Sequence, residues 1–442
     1  MYAATTSAQS TIISPGTKTS YHPLQKNYSP VPKGYKPVFI NYVGRHGSRF
    51  LTKEGSDKVA LDVLLYADSL GALTATGKRI LEMTTKLHAL QQDNYENISL
   101  SGKQEQNGIG KRMKEGLNNV FDGRDIEAVV TKKIRTRQSA DAFLSSFDDY
   151  AGKIKFNDDK SMQDDVLRFY DESPAYQEYK KSNRLLLRLD SLEKSAETLN
   201  AAANTCKRIF NNDFVNKLHD GIVYNNAEQA KVNTVEFANT LFELYGAQFS
   251  VKDEMKEKGY TTDSLDLSIA FSDADLEWFA FKDGAADFFE KGPADNVNGI
   301  QVKIAVPLLI DFIRKIDALV DSPSRYAATL RYTHAEAISP FASLLGIQGT
   351  ATSSSSVFKY ADQWKAESII PMSANIQWIV YANGKDFLIK VLLNEKEAAL
   401  PIKTNTFPYY KWKAIRKYYL QKLKTLNADL NTDLHQYLLN IK

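Results

Sequence analysis

The sequence has few of the residues from which disulfides and metal centres are built. Its 442 residues include one cysteine, Cys206, and six histidines. A single cysteine cannot close a disulfide within the chain, and it cannot form a zinc cage with other cysteines. The histidines include no pair at the spacing of the H-E-x-x-H zinc motif. We therefore expect neither a disulfide framework nor a metal ion or other cofactor.

Long apolar runs, a secretory signal and a strong net charge are also missing. No apolar run approaches the roughly 18 residues of a transmembrane helix, and the N-terminus lacks the basic start and apolar stretch of a signal peptide. The 56 basic and 53 acidic residues leave a net charge of +3, which is too balanced for a general nucleic-acid binder. Neither Gly77-Lys78 nor Gly110-Lys111 completes a nucleotide-binding P-loop. Binding of anions must therefore come from local placement of charge.

The segments that are present differ along the chain and predict its domain organisation. Residues 1–30 are rich in Ser and Thr and predict an extended lead-in. Strand, loop and helix signals follow one another in 31–151 and in 301–442, which together predict an α/β domain with a mostly parallel sheet flanked by helices. Residues 152–300 contain long polar helical segments and few strand signals, so they predict a large all-α insertion, or cap domain.

Charged residues follow each of three predicted strands. Near-continuous apolar runs at 38–43 and 126–130 are typical of strands covered on both faces, and a third strand ends near Tyr332. The segments after these strands are Arg45-His46-Gly47-Ser48-Arg49, the basic loop 132–137, and His334-Ala335-Glu336. Ligands of open α/β sheets bind outside the carboxyl ends of the strands, so we expect the three segments to converge.

Other local signals describe the helices and the C-terminal part. Apolar residues at helical spacing predict helices at 102–121 and 140–147. Ser339 as N-cap, Pro340 at the first position and Gly346 as the stop predict a helix after the third strand. An Asn-Gly pair, 383–384, predicts the turn of a β-hairpin. The tail from about residue 408 reads as mostly helical.

The converging residue types suit phosphoryl transfer. Arginine forks bind phosphate oxygens in a bidentate way. A neutral imidazole can attack phosphorus, and a carboxyl group can protonate the leaving oxygen. Each pattern alone has an ordinary explanation, because lone histidines are usually surface or core residues and Lys/Arg clusters are usually solvated. A fixed R-H-G-x-R pattern, however, arises by chance in about one chain in four hundred of this length.

Three motifs resemble those of one family. The stretch "RHGSRFLT" resembles the R-H-G-x-R-x-x-T signature of the histidine acid phosphatases, the branch of the histidine phosphatase superfamily that includes phytases. "IRTRQSADAF" resembles the second arginine block of that family, and "RYTHAEA" resembles its downstream motif with a second histidine. Most of the branch has Asp directly after that histidine. Here an alanine intervenes before Glu336, which resembles the multiple inositol polyphosphate phosphatase subgroup, and the resemblance covers most of residues 36–402.

The resemblance implies an α/β core, an α-helical cap and a cleft between them. It implies that His46 is the nucleophile, forming phosphohistidine, and that Glu336 is the general acid and afterwards the base for water. The other implied substrate-binding and catalytic residues are Arg45, Arg49, Arg135 and His334, with Thr52 near the substrate. Arg137 is the alternative to Arg135, although strand alternation would point the two side chains differently.

The implied substrates are inositol polyphosphates. A broad acid or sugar phosphatase with the same chemistry stays open, and a phospholigand-binding protein without turnover is a remote alternative. A highly phosphorylated substrate needs additional basic residues, for which the candidates are 132–137, Lys180-Lys181, Arg184 and Arg188. We expect a monomer without nucleic-acid partners. We also expect a bacterial protein that is periplasmic or secreted, with its native signal removed.

Overall fold

The R-H-G-x-R motif begins at the last residue of the first strand, and this strand lies inside the central sheet. The structure is a computed structural model that describes residues 13–157, 164–225 and 230–442, without the side chains of 262 and 263. Part of the predicted lead-in, residues 1–12, lies outside the described residues. The strands are β1 (Lys36–Arg45), β2 (Asp125–Val130), β3 (Ile154–Asn157), β4 (Ile222–Asn225), β5 (Ala230–Val232), β6 (Tyr326–Thr333), β7 (Asn375–Asn383), β8 (Asp386–Leu393), β9 (Lys396–Glu397) and β10 (Tyr409–Lys411).

The helices lie on both faces of the central sheet and form the cap. In chain order they are α1 (Ser56–Ser69), α2 (Ala75–Gln91), α3 (Leu100–Gly116), α4 (Ile134–Leu144), α5 (Phe169–Glu172), α6 (Pro174–Lys180), α7 (Asn183–Glu193), α8 (Ala196–Ile209), α9 (Asn212–His219), α10 (Thr234–Ser250), α11 (Lys252–Glu257), α12 (Asp273–Lys291), α13 (Ile300–Lys303), α14 (Val306–Asp321), α15 (Ala335–Leu345), α16 (Ala366–Ile369), α17 (Trp412–Thr425) and α18 (Leu434–Asn440).

The central sheet has the order β10-β8-β7-β1-β6-β2-β3, and β9 pairs with β8 at its side. Strands β1, β6, β2 and β3 are mutually parallel, whereas β7, β8 and β10 add an antiparallel half beyond β1. The α/β class with a sheet flanked by helices is therefore confirmed. The charged segments that follow β1, β2 and β6 all belong to the parallel half of the sheet.

The register of the parallel strands aligns their carboxyl ends. Arg45 of β1 pairs with Thr333 of β6, and Val130 of β2 pairs with Tyr332. From Phe39 onward β1 is buried on both faces, which explains its near-continuous apolar run. The three predicted segments thus leave the same edge of the sheet, as expected for an open α/β fold.

Helices outside the predicted insertion pack against it. One apolar cluster joins residues from α1 and α2, such as Leu64 and Leu87, to Phe237 and Phe279 of the insertion. Strand β3, which we did not predict, extends the central sheet, and a two-stranded β4–β5 sheet lies inside the segment predicted as all-α. The domain boundaries at 151/152 and 300/301 stay predictions, and we propose that α1 and α2 belong with the cap.

Three helices differ from the prediction in their bounds, and one of them, α4, spans Ile134–Leu144 rather than 140–147. Helix α15 begins at Ala335, with His334 as its N-cap, because the backbone N–H groups of Ala337 and Ile338 donate to the carbonyl of His334. Pro340 therefore lies inside the helix and costs one backbone hydrogen bond rather than starting it. Gly346 ends the helix with φ +69°, as predicted. Helix α3 ends at Gly116, before the predicted 121.

The hairpin and the tail follow the prediction closely. Strands β7 and β8 are joined at Gly384, whose φ is +58°. The tail contains α17 and α18, preceded by the unpredicted strand β10. Among the residues that the structure describes, no helix has the length and apolar composition that would cross a membrane.

Candidate active site

His46 lies in the loop that follows β1 and is 3% exposed. Its backbone N–H donates to the carbonyl of Thr333 at 3.0 Å, and the N–H of Arg45 donates to Ala374 at 2.7 Å. The ring Nδ1 lies 2.9 Å from the carbonyl oxygen of Gly47. A carbonyl can only accept, so Nδ1 carries the proton and Nε2 keeps its lone pair. The loop thus presents a neutral imidazole whose Nε2 is available as a nucleophile.

Side chains of helices α3 and α4 hold this loop through hydrogen bonds to its backbone. The N–H of Gly47 donates to Ser139 Oγ at 3.0 Å, and the N–H of Ser48 donates to a carboxylate oxygen of Glu105 at 2.9 Å. A Cβ atom on Gly47 would lie 2.6 Å from the carbonyl oxygen of Gly102. The glycine of the motif is therefore required by the close approach of α3 to the loop.

His334 is the N-cap residue of α15 and faces His46. The centroids of the two rings are 5.4 Å apart, at an interplanar angle of 65°. His334 Nε2 lies 3.2 Å from a terminal nitrogen of Arg168 and 3.2 Å from Thr131 Oγ1. Because an arginine can only donate, His334 Nε2 accepts from Arg168. Both histidine rings are therefore oriented by neighbouring groups.

The three predicted arginines are anchored in different ways. A terminal nitrogen of Arg45 donates to the carbonyl oxygens of Thr17, at 2.8 Å, and Ile370, at 2.6 Å. Arg49 donates to the carbonyl of its neighbour Phe50 at 2.7 Å. Arg135 lies 3.5 Å from the carboxylate of Glu96. These anchors use only part of the donor capacity of the three guanidinium groups.

Some donors of these guanidinium groups make no hydrogen bond within the described part of the chain. They are Nε of Arg45, Arg49, Arg135 and Arg168, and the terminal nitrogen of Arg135 that forms the 3.5 Å ion pair with Glu96. Buried donors without hydrogen bonds carry a large desolvation cost. Three of these arginines, Arg45, Arg49 and Arg135, line one cavity, and their clustered positive charge indicates a binding site for an anion with several oxygens.

Burial and mutual repulsion shift the pKa values of these groups. Burial, followed by the charges of Arg45 and Arg49, lowers the pKa of His46 well below its usual value. Burial, followed by the charge of Arg135, also lowers the pKa of His334 well below its usual value. Burial, with Arg135 and Arg45, lowers the pKa of Arg49 to about 10. Both histidines are thus neutral, and a bound anion would relieve the repulsion among the cations.

Glu336 is the second residue of α15, near the positive end of the helix dipole. Its carboxylate lies 3.9 Å from Nζ of Lys291, and its side chain is 40% exposed, toward the cavity. Burial alone would raise its pKa, but the positive charge of Lys291, the largest of the lowering causes, outweighs that effect and the pKa of Glu336 falls to about 2. In the free protein Glu336 is therefore a carboxylate.

A cavity of about 180 Å³ joins these groups. Six of the predicted site residues line it, namely Arg45, His46, Arg49, Arg135, His334 and Glu336. Thr52 is exposed and does not line the cavity, whereas its neighbour Leu51 does. The structure therefore brings together all of the predicted site residues except Thr52, whose role stays a prediction.

The basic segment 132–137 is mainly helical rather than a loop. Arg135 and Arg137 both lie in the first turn of α4, so helical rather than strand geometry separates their side chains. Arg135 points into the cavity, whereas Arg137 pairs with Asp141 at 3.0 Å and covers the ring of Phe156 at 3.8 Å. The preference for Arg135 is consistent with this arrangement, although the strand-based reason for it was wrong.

The candidate basic residues of the cap do not line the cavity. Arg184 and Arg188 both pair with Asp295, and Lys180 covers the ring of Tyr176 at 5.2 Å. Three further cations that line it, or reach His334, were not predicted: Lys18, Lys291 and Arg168. Arg168 lies in "LRFYDESPAY", a segment with family resemblance that could have indicated it. Lys18 and Lys291 carried no signal in the sequence.

Among the described residues, the cluster of side chains that could hold a metal ion lies away from this cavity. Asp165, Glu172 and His435 place one ligand atom each within 4.8 Å of one another. These residues do not line the cavity. Apart from Glu336, the ionisable side chains that line the cavity are cations and neutral histidines, which suit an anion.

A helix-capped α/β sheet with two facing histidines and an arginine cluster at its strand ends defines a class of phosphate-binding enzyme. The chain belongs to the histidine phosphatase superfamily (branch 2), whose family model matches residues 38–394. No curated protein sequence matches the chain.

Solved structures share the fold over nearly the whole chain. The multiple inositol polyphosphate phosphatase of Bifidobacterium longum, in complex with inositol hexasulfate, is 23% identical with a TM-score of 0.78, over 91% of this chain and 96% of that one. The phytase of D. castellii is 15% identical with a TM-score of 0.69, over 97% of this chain and 88% of that one. The fold is thus that of enzymes built on this family's architecture.

Proposed function

We propose that this protein hydrolyses phosphate monoesters of inositol polyphosphates through a phosphohistidine at His46, with Glu336 as general acid. The observation that carries the proposal is a neutral, oriented His46 that lines the same cavity as Arg45, Arg49 and Arg135. In this proposal an anion held by the three arginines has its phosphorus next to Nε2 of His46. Glu336 faces the same cavity from the start of α15.

The proposed reaction has two steps. Nε2 of His46 attacks phosphorus as the bond to the leaving oxygen breaks, and the Glu336 carboxyl group gives its proton to that oxygen. Water then attacks the phosphohistidine, Glu336 accepts the water proton, and the P–N bond breaks. The guanidinium groups of Arg45, Arg49 and Arg135 stabilise the charge on the equatorial oxygens in both steps.

The proton for the first step comes with the substrate in this scheme. Glu336 is a carboxylate in the free protein, since its pKa is about 2. A phosphate monoester still carries one proton below about pH 6. Bound phosphate opposes the charges of Lys291 and Arg45, so it raises the pKa of Glu336. The proton therefore passes to Glu336 on binding, and Glu336 passes it on to the leaving oxygen.

The substrate class rests on charge and on the relatives. Lys18, Lys291 and Arg168 add cations beyond those that hold the transferred group, as a highly phosphorylated substrate requires. Structures similar to this chain belong to a multiple inositol polyphosphate phosphatase and to phytases. A broad acid or sugar phosphatase with the same chemistry is the second candidate, because the His46 chemistry does not depend on the rest of the substrate.

One assay separates these candidates. Timed phosphate release from inositol hexakisphosphate, glucose phosphates and simple monoesters should show the highest kcat/KM for the inositol substrate. Similar values for all substrates would favour the broad phosphatase. Release from none of them, despite binding, would favour a phospholigand-binding protein.

The nucleophile is tested by substitution. We expect His46→Ala to abolish turnover, whereas His219→Ala, which changes an exposed histidine of the cap, should keep it. Wild-type enzyme quenched during turnover should carry an acid-labile, base-stable phosphoryl group on His46. Absence of that group under single-turnover conditions would contradict the mechanism.

The location and assembly of the protein remain proposals. We propose a monomer that is periplasmic or secreted. Support comes from the cavity, whose lining the structure builds within one chain, and from the match to bacterial phytases such as that of Hafnia alvei, at 12% identity and a TM-score of 0.50. Fractionation of the native host and light scattering of the purified protein test the two statements.

A further inference from the structure

We infer that Asp287 and Lys291 position the acid: Asp287 holds Lys291, and Lys291 holds Glu336 toward the leaving oxygen. The inference rests on the proposed function of Glu336 as general acid. It assigns to Lys291 a role that acts through Glu336 rather than on the transferred phosphoryl group. Asp287 does not line the cavity, so its proposed effect on Glu336 passes through Lys291.

The three side chains form a line that crosses from the cap to the sheet domain. Nζ of Lys291 lies 2.7 Å from Oδ1 of Asp287, one helical turn earlier on α12, and 3.9 Å from Oε1 of Glu336 on α15. The side chains of Asp287 and Lys291 are each 12% exposed. A lysine that is so buried has little freedom to move, so its charge stays beside Glu336.

The backbone around this line is held by apolar packing. Phe288 and Phe289 of α12 lie in the same buried cluster as Ala337 and Phe341 of α15. Helix α12 ends directly after Lys291, where the N–H of Gly292 donates to the carbonyls of Asp287 and Phe288. A positive charge is favourable at this helix end, because it lies beside the unpaired carbonyls. The distance between Lys291 and Glu336 is therefore set by the fold rather than by flexible side chains.

The two distances distinguish anchoring from positioning. At 2.7 Å the Asp287 contact is a charge-assisted hydrogen bond, whereas 3.9 Å is too long for a hydrogen bond to Glu336. Lys291 thus attracts the carboxylate without occupying the oxygen that must carry the proton. Lys291 is also the strongest of the groups that lower the pKa of Glu336. Without Lys291, the Glu336 side chain would lose its main attraction on the cap side.

The test compares substrates with different needs for an acid. Single-turnover phosphorylation of His46 is measured with inositol hexakisphosphate, whose alkoxide needs a proton, and with p-nitrophenyl phosphate, whose leaving group departs readily as an anion. The variants are Lys291→Met, Lys291→Arg, Asp287→Asn and Glu336→Gln. Lys282→Met is the matched control, since Lys282 is a buried lysine of the same helix that pairs with Glu193 of the cap at 2.6 Å.

With the inositol substrate, Glu336→Gln should slow phosphorylation of His46 about a hundredfold or more, which is the usual scale for a general acid. Lys291→Met and Asp287→Asn should slow that step by about tenfold or more, and the step with p-nitrophenyl phosphate by less than about threefold. Lys291→Arg should recover most of the loss. Lys282→Met should change the rates with both substrates equally or not at all, even where it lowers the melting temperature.

The outcomes separate this inference from the proposed function. Equal losses with both substrates in Lys291→Met and Asp287→Asn would overturn the positioning role and assign Lys291 to the transferred phosphoryl group or to folding. A selective loss in Glu336→Gln without one in Lys291→Met or Asp287→Asn would overturn the inference and leave the acid assignment intact. If Glu336→Gln itself shows no selectivity, the acid assignment fails first, and the positioning role fails with it.

Discussion

At the scale of single residues, Arg135 and Arg137 show how position within a helix turn decides function. They lie two residues apart in α4, and about 200° separates their directions around the helix axis. Arg135 reaches the cavity beside Glu96, whereas Arg137 contacts Asp141 and Phe156 outside it. Both are arginines of one basic segment, but only Arg135 lines the cavity.

A matched pair of substitutions tests this difference. Arg135→Lys should lower kcat/KM by about a hundredfold, because a lysine cannot reproduce the planar fork that meets two phosphate oxygens. Arg137→Lys keeps the charge outside the cavity and should change kcat/KM by less than about threefold. Steady-state kinetics with one monoester substrate provide the measurement. A larger loss in Arg137→Lys would move the phosphate anchor to that residue.

The low pKa of His46 predicts the pH dependence. Burial and the neighbouring Arg45 and Arg49 hold the pKa of His46 well below 6.5, so the nucleophile stays neutral in mild acid. Glu336 is ionised there, with a pKa of about 2, and receives its proton from the substrate monoanion that exists below about pH 6. We expect kcat/KM to be highest in acid and to fall about tenfold per pH unit above about pH 6. A rate that falls below pH 6.5 with the titration of an ordinary histidine would contradict this explanation.

At the scale of secondary-structure elements, the close approach of α3 fixes the nucleophile loop. Gly102 lies in the first turn of α3, where a Cβ atom would meet the carbonyl oxygen of Ser48 at 2.0 Å. Gly116, the last residue of the same helix, has no heavy atom within 4 Å of such a Cβ position. Packing against the nucleophile loop therefore requires a glycine at position 102, whereas it does not require one at position 116.

Alanine at the two positions should give opposite results. Gly102→Ala should lower the free energy of unfolding by about 1 to 3 kcal/mol, because backbone rather than a side chain must move, and should slow phosphorylation of His46. Gly116→Ala should change the free energy of unfolding by less than about 1 kcal/mol, in the stabilising direction, and leave the kinetics unchanged. Urea denaturation and single-turnover rates measure both effects. Equal stability of the two variants would show that α3 can shift away from the loop.

At the scale of the whole molecule, a nearly neutral chain concentrates cations in one cavity. The net charge is +3 over 442 residues, yet Lys18, Arg45, Arg49, Arg135 and Lys291 line one cavity of about 180 Å³. Such a concentration attracts polyanions over a distance that added salt shortens. The cap and the sheet domain both contribute to this field, because Lys18 is held by Glu243 of α10, whereas Arg45 ends β1 and Arg49 follows it.

Salt should therefore affect highly charged substrates most. Raising the ionic strength from about 0.05 M to about 0.5 M should lower kcat/KM for inositol hexakisphosphate by about tenfold or more. The same change should lower kcat/KM for p-nitrophenyl phosphate by less than about threefold, and Lys18→Ala should reduce the difference between the substrates. Equal salt effects on both substrates would indicate that the field of the cavity does not steer binding.

Local sequence was enough for most elements of the sheet domain. The apolar runs predicted β1, β2 and the end of β6, and the Asn-Gly pair predicted the β7–β8 turn, since these signals depend on neighbouring residues. Short strands such as β3 and β10 were missed because their pairing comes from distant strands. The start of α15 was misplaced because Ser339 and Pro340 form a start signal, whereas the extended backbone of His334 at the strand end sets the actual one.

The sequence by itself determined the nucleophile loop. Arg45, His46 and Arg49 are adjacent in the chain, so one apolar strand followed by one motif was sufficient to place them together. The second histidine and Glu336 could be added because they follow another strand whose carboxyl end lies at the same edge. Only the tertiary structure decided that Lys18 and Lys291 line the cavity and that Arg168 reaches His334. Those residues come from a lead-in and from the insertion between the two parts of the sheet domain, and nothing in a lone lysine or arginine specifies which distant surface the folded chain will bring against it.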